Sequence, residues 1–115
     1  MKYDVEGWVV LKYTVTSAKV YYRIFASWRG GNLNGESWRL SSGSEALPHL
    51  SDCGKYWLWP QLSGSLYKLP INEEDGYTFY TGQVLSSIIE RSGEEGIFIE
   101  RITLASLQNL PLSID

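Results

Sequence analysis

From Val5 to Trp28 the chain alternates between two sets of side chains with a period of two, broken once near Ser17. Val5, Gly7, Val9, Leu11, Tyr13 and Val15 fall on one side, with Glu6, Lys12 and Thr14 among those opposite. Successive side chains of an extended strand point to opposite faces, so this pattern predicts a long first strand. A turn beginning at Ser17 leads to a second strand, in which Val20, Tyr22, Ile24, Ala26 and Trp28 alternate with Tyr21, Arg23, Phe25, Ser27 and Arg29. The first of these sets is a plain core face. The second mixes aromatics with two arginines and is either exposed or packed beneath another element, which the residues alone leave open. Two long neighbouring strands commit the chain to a mostly antiparallel sheet.

The remaining elements follow from turn chemistry. Gly30 to Gly35 ends in Asn-Gly, a dipeptide suited to the positive φ of a tight hairpin, and predicts a third strand over about Glu36 to Ser41. Pro48 and Gly54 bracket a less regular stretch; Tyr56 to Trp59 and Ser65 to Leu69 then read as short strands limited by Pro60 and Pro70, which cannot donate to a ladder. One helix is predicted over about Gly82 to Ser92, where Val84, Leu85, Ile88 and Ile89 form a stripe ended by Gly93. Gly96 releases a last strand over about Ile97 to Leu104, and Leu104, Leu107 and Leu110 before Pro111 suggest a further helical turn. The fold expected is α+β: a single domain over residues 1–115, with a twisted, mostly antiparallel sheet of five to seven strands and one helix packed on it.

Composition sets limits on function. Five Trp, eight Tyr and three Phe favour β structure and large contact surfaces. The net charge of −3 is too small for an acidic mimic of nucleic acid, and it divides unevenly. Residues 1–72 hold eight basic against five acidic side chains, and residues 73–115 hold two against eight. Cys53, the lone cysteine, cannot form an intramolecular disulfide, and neither a signal-like segment nor a long apolar run is seen, so a cytoplasmic protein without a membrane span is expected.

One template occurs twice, Trp-x-x-x-Ser-Gly-Ser: Trp38 with Ser42, Gly43 and Ser44, and Trp59 with Ser63, Gly64 and Ser65, displaced by 21 residues. Both copies place an aromatic on a strand and a permissive turn beyond it. The equivalent positions predict that the turns meet at one end of the sheet, where backbone N–H groups and Arg39 would hold a small anion. The run Val20 to Trp28, together with Gly30-Gly31, Ser37 to Gly43 and Ser63 to Tyr67, resembles a pattern recurring among small uncharacterised bacterial proteins, some similar to proteins encoded in mobile, integron-type gene cassettes. The resemblance spans roughly the first 70 residues and implies a bacterial setting without an activity.

Other constellations are thinner. His49 and Cys53, four apart, would share a face only on a helix, which Pro48 and Gly54 disfavour; with Asp52 they fall short of the four ligands of a structural zinc site, so no cofactor is expected. Ser42 and Ser63 do not stand in a nucleophile elbow. The leading expectation is a non-enzymatic binding module for a protein partner or small polar ligand, with Arg39, Ser42, Gly43, Ser44, Ser63, Gly64 and Ser65 as its site. One alternative is a single-stranded nucleic-acid binder using Tyr21, Arg23, Phe25 and Arg29, with aromatics stacking on bases and guanidiniums on phosphates; another is a small enzyme with a Ser-Gly-Ser-lined pocket. The aromatic surplus further predicts a homodimer that buries at least one of Trp28, Trp38, Trp57 or Trp59.

Overall fold

The computed structural model describes residues 1–15, 19–30, 36–92 and 97–109. The turn at Ser17, the Asn34-Gly35 hairpin loop, the boundaries at Gly93 and Gly96 and the Leu110-Pro111 end lie outside the described residues. In chain order the elements are β1 (Lys2–Asp4), β2 (Gly7–Thr14), β3 (Val20–Trp28), β4 (Ser37–Leu40), β5 (His49–Leu50), β6 (Tyr56–Pro60), β7 (Leu66–Pro70), a 3-10 turn (Ile71–Glu73), α1 (Phe79–Ser92), β8 (Phe98–Ile102) and α2 (Leu104–Asn109). The α+β class is as expected. Instead of one sheet, however, there are two of four strands each, ordered β1-β7-β6-β5 and β4-β3-β2-β8.

The division begins at Val5 and Glu6, where the chain leaves the first sheet and enters the second. β1 pairs with β7 in parallel and β2 pairs with β3 and β8 in antiparallel fashion. The β2–β3–β4–β8 sheet therefore forms a middle layer. On one of its faces Trp8, Val10, Ile24 and Ala26 meet Trp59, Tyr67 and Leu69 of the other sheet, with Leu104 of α2 closing the cluster. On its opposite face Val9, Leu11, Tyr13, Phe25 and Ile99 meet Leu85 of α1, flanked by Val84, Ile88 and Ile89. Both faces of β2 are thus apolar, and Trp8, Val9, Val10 and Leu11 in succession are fully buried. The second face of β3 is likewise settled: it lies under the helix.

Polar atoms within these layers are paired. The Trp8 indole Nε1 donates to the Pro70 carbonyl at 2.7 Å, joining the middle sheet to the end of β7. Close approach explains two glycines: a Cβ on Gly7 would lie 2.5 Å from the Gly76 carbonyl oxygen, so the chain after the 3-10 turn passes β2 only because Gly7 lacks a side chain, while a Cβ on Gly76 would lie 2.9 Å from the Glu73 carbonyl oxygen of its own turn. Of the tryptophans expected at an interface, Trp59 is wholly buried in the chain's own core, with Trp28 and Trp57 packed on its margin, while Trp38 is 40% exposed. No helix among the described residues is long and apolar enough to cross a membrane.

α1 begins at Phe79, three residues earlier than its apolar stripe suggests. Thr78 and Thr81 cap it reciprocally: the Thr81 N–H donates to Thr78 Oγ1 at 3.2 Å and the Thr78 N–H to Thr81 Oγ1 at 2.8 Å. α2 receives a cap from a distant segment, since its first N–H, that of Leu104, donates to Glu74 Oε2 at 2.8 Å. Thr103 Oγ1 accepts from the Ser106 N–H of the same turn at 3.2 Å.

Two outcomes test this packing. Leu85→Ala empties a site 2% exposed, and urea denaturation is expected to show a loss of about 2–5 kcal/mol. For Glu74, burial raises its carboxyl pKa above the ordinary value, outweighing the opposing effect of the Leu104 N–H, and the neighbouring Asp75 charge adds to the rise. The stability linked to a raised carboxyl is present in full below the unfolded pKa and is lost as pH climbs through the folded one. Glu74→Gln keeps the acceptor and removes the charge. It should melt at or above the wild-type temperature at pH 7, with the difference fading near pH ~4; Glu74→Ala, which removes the cap, should melt lower throughout.

Candidate functional site

The twin turns do meet. Gly43 (φ 110°) and Gly64 (φ 91°) both adopt conformations that favour glycine. The Leu62 N–H donates to the Gly43 carbonyl at 2.8 Å and the Ser63 N–H to Ser42 Oγ at 3.0 Å. Between the turns lies a residue that the template leaves unspecified: Gln61, 6% exposed, accepts from the Gly43 N–H at 3.0 Å through Oε1 and directs Nε2 to the Trp59 and Pro60 carbonyls.

These bonds occupy the groups that an anion would need. The Gly64 N–H donates to the Gln61 carbonyl, the Ser65 N–H to Ser63 Oγ and the Ser44 N–H to the Tyr22 carbonyl. Ser44 Oγ bonds both the backbone N–H and the carbonyl of Ala46. Arg39 lies elsewhere, its guanidinium carbon 4.8 Å from the centre of the Tyr3 ring. The repeated template is a clasp between the two sheets, fastening the end of β4 to the β6–β7 hairpin. Its tryptophans are not equivalent: Trp59 is core and donates to the Ala46 carbonyl, whereas Trp38 stacks on Phe25 from outside, with ring centres 5.7 Å apart.

The four residues of the nucleic-acid alternative are dispersed. Phe25 is fully buried and offers no stacking surface, Arg29 sits just past the far end of β3, and only Tyr21 and Arg23 remain together. His49 lies on β5 and Cys53 in the exposed turn beyond it, so thiol and imidazole do not share a helical face. The Ser51 hydroxyl, 3.4 Å from Cys53 Sγ, is the leading cause of a thiol pKa below the ordinary value. Among the described residues no three His, Cys, Asp or Glu side chains gather as a metal site.

Tyr21 and Arg23 instead border a cavity of about 230 Å³ under the last turn of α1, together with Tyr13, Ile88, Arg91, Ile97 and Ile99. Tyr13 and Tyr21, opposite each other on β2 and β3, stack with ring centres 5.1 Å apart. The Arg23 guanidinium carbon stands 5.2 Å from the centre of the Tyr13 ring, and its Nε–H is anchored to the Ser41 carbonyl at 2.7 Å. Its remaining donors are thereby held in a defined position. Arg91 lines the pocket from the helix, and neither arginine has an ion-pair partner among the described residues. Strand alternation marked Tyr21 and Arg23; Arg91 and Ile97 carried no signal beyond a helix end and a strand start. No family model, curated protein or solved structure matches the chain.

If the twin turns serve as a clasp, the buried amide matters more than the exposed hydroxyl. Gln61→Leu leaves the Gly43 N–H unpaired and should cost about 1–3 kcal/mol in chemical denaturation. Ser42→Ala, at an exposed position where water replaces the hydroxyl, should change stability by less than about 0.5 kcal/mol.

Proposed function

We propose that the protein is a non-enzymatic binding module for a small organic anion, a carboxylate carried on an aromatic ring or short aliphatic chain. The observation that supports this is the convergence of Arg23 and Arg91 on a cavity with a tyrosine wall and an isoleucine lining. A dry apolar cavity of about 150 Å³ takes up benzene, so about 230 Å³ suits one ring and its carboxylate. The stacked tyrosines supply a flat wall, Ile88, Ile97 and Ile99 an apolar lining, and the guanidiniums offer planar, charge-assisted hydrogen bonds. Arg91 lies in the last turn of α1, where its charge also opposes the negative end of the helix dipole.

Thermal-shift and calorimetric titration with benzoate, phenylacetate and hexanoate test this reading, with benzyl alcohol as the neutral comparison. The carboxylates are expected to raise the melting temperature and benzyl alcohol to leave it unchanged. Arg91→Gln, an exposed substitution, is expected to weaken binding about tenfold, equivalent to about 1.4 kcal/mol. The absence of any shift at millimolar carboxylate, or binding indifferent to Arg91→Gln, would refute the assignment.

A further inference from the structure

A cleft of about 600 Å³ opens where the chain crosses from the first sheet to the second, at the opposite end of β2 from the tyrosine recess. Its volume falls within the range of about 300–1,000 Å³ usual for small-molecule sites. Two cations and three carboxylates border it: Arg29 just past β3, Lys68 on β7, Asp4 on β1, Glu6 at the crossing and Glu73 in the 3-10 turn. The ion pairs among the described residues, Lys19 with Glu45 and Arg101 with Asp75, lie elsewhere, so these charges are not paired with one another. Lys68 is the clearest case. Its register partner across the parallel β1–β7 ladder is Asp4, yet its Nζ stands 4.2 Å from the centre of the Tyr56 ring instead of on that carboxylate. Glu6 is likewise turned to the backbone of Arg29 rather than to its guanidinium, its Oε1 accepting from the Arg29 N–H at 2.8 Å. The Asp4 carbonyl accepts from Trp28 Nε1 at 2.8 Å, which ties the end of β1 to β3. Lys68 and Glu73 are half-buried, where salt screens charge less than on open surface.

We infer that this cleft is a second binding site, separate from the one proposed above, and that it takes a free dibasic α-amino acid of the lysine or arginine kind. Opposite charges that border one cleft without pairing suit a ligand that itself carries both signs. The ligand carboxylate meets Arg29 and Lys68, its two cationic groups meet Glu73, Asp4 and Glu6, and its aliphatic stem lies along Val5 and Pro70. Three negative groups against two positive ones leave the lining with one negative charge in excess, which a singly positive ligand balances. A neutral amino acid leaves that excess unmatched. A diamine offers nothing to the two cations, and a simple carboxylate carries the wrong sign for the excess.

Amide NMR titration of the full chain with L-lysine and L-arginine provides the test. L-norleucine, cadaverine and Nα-acetyl-L-lysine serve as comparisons that lack, in turn, the side-chain cation, the carboxylate and the α-ammonium. Lysine and arginine are expected to bind with millimolar or tighter constants, moving the amides of Glu6, Arg29 and Lys68, and each comparison compound to bind about tenfold or more weakly. Arg29→Gln, at an exposed position, should weaken lysine about tenfold and leave cadaverine unaffected, because only lysine has a carboxylate to lose. Glu73→Gln should weaken both. A loss of fold would move the two ligands together in either variant, so the split between them reads charge recognition. No binding of lysine or arginine at ~10 mM, a comparison compound that binds as tightly as lysine, or affinities unmoved by both substitutions would overturn the proposal.

Discussion

Everything in this structure depends on β2 being buried from both sides. A strand with one wet face needs only one covering layer, but Trp8, Val9, Val10 and Leu11 are inaccessible in succession, so two covers are required. The second sheet meets the even-numbered positions and α1 the odd ones. β3 follows β2 in register and inherits the same demand, with Ile24 on one face and Phe25 on the other. The chain supplies both covers by crossing between sheets at Val5 and Glu6 and by returning through α1 before β8. Loss of either cover would expose one full side of the middle sheet.

Two stacked sheets slide unless something fixes them laterally, and here the fixing is polar. Trp8 Nε1 reaches the Pro70 carbonyl at one place, while Gln61, Ser42 and the Gly43 carbonyl join the sheets at another. Apolar contact alone is indifferent to small displacements; directional hydrogen bonds, above all the buried one from the Gly43 N–H to Gln61, are not. Aromatic contacts follow the same seam, Tyr3 lying between Tyr67 and Trp28 with ring centres 4.9 and 6.4 Å away. Arg39 extends this seam by covering Tyr3. That position accounts for an arginine beside a turn without requiring an anion.

Alternation was legible because it follows from backbone geometry, and it correctly placed the core face of β3, as the helical period placed the stripe of α1. It could not say that the second cover was a sheet, since apolar residues at alternate positions look alike beneath a helix or beneath strands. β1 and β5 contain three and two residues, too few for any period to register. The start of α1 escaped because its reciprocal cap uses Thr81 where the familiar signature has Glu or Gln. The repeat made the meeting of the turns readable, but not its purpose. That purpose resides in Gln61, whose side chain joins turns that are 21 residues apart and whose position no template marks.

The cavity beside Tyr13 and Tyr21 has a geometric origin in the same layering. An eight-residue strand such as β2 extends about 27 Å, whereas the fourteen residues of α1 extend about 21 Å. The helix begins over the Gly7 end, where Thr78 Oγ1 bonds Glu36 Oε2 next to β4. Ile88 and Arg91 near its end stand beside Tyr13 and Tyr21, and among the described residues the recess opens there. Tyrosine suits such a place because its ring supplies a large flat apolar surface, as in the stacked pair of Tyr13 and Tyr21. Arginine suits it because its stem lies along apolar surface and its head remains charged. The requirement that makes β2 a two-sided core strand thus leaves, where its helical cover ends, an apolar recess rimmed by positive charge.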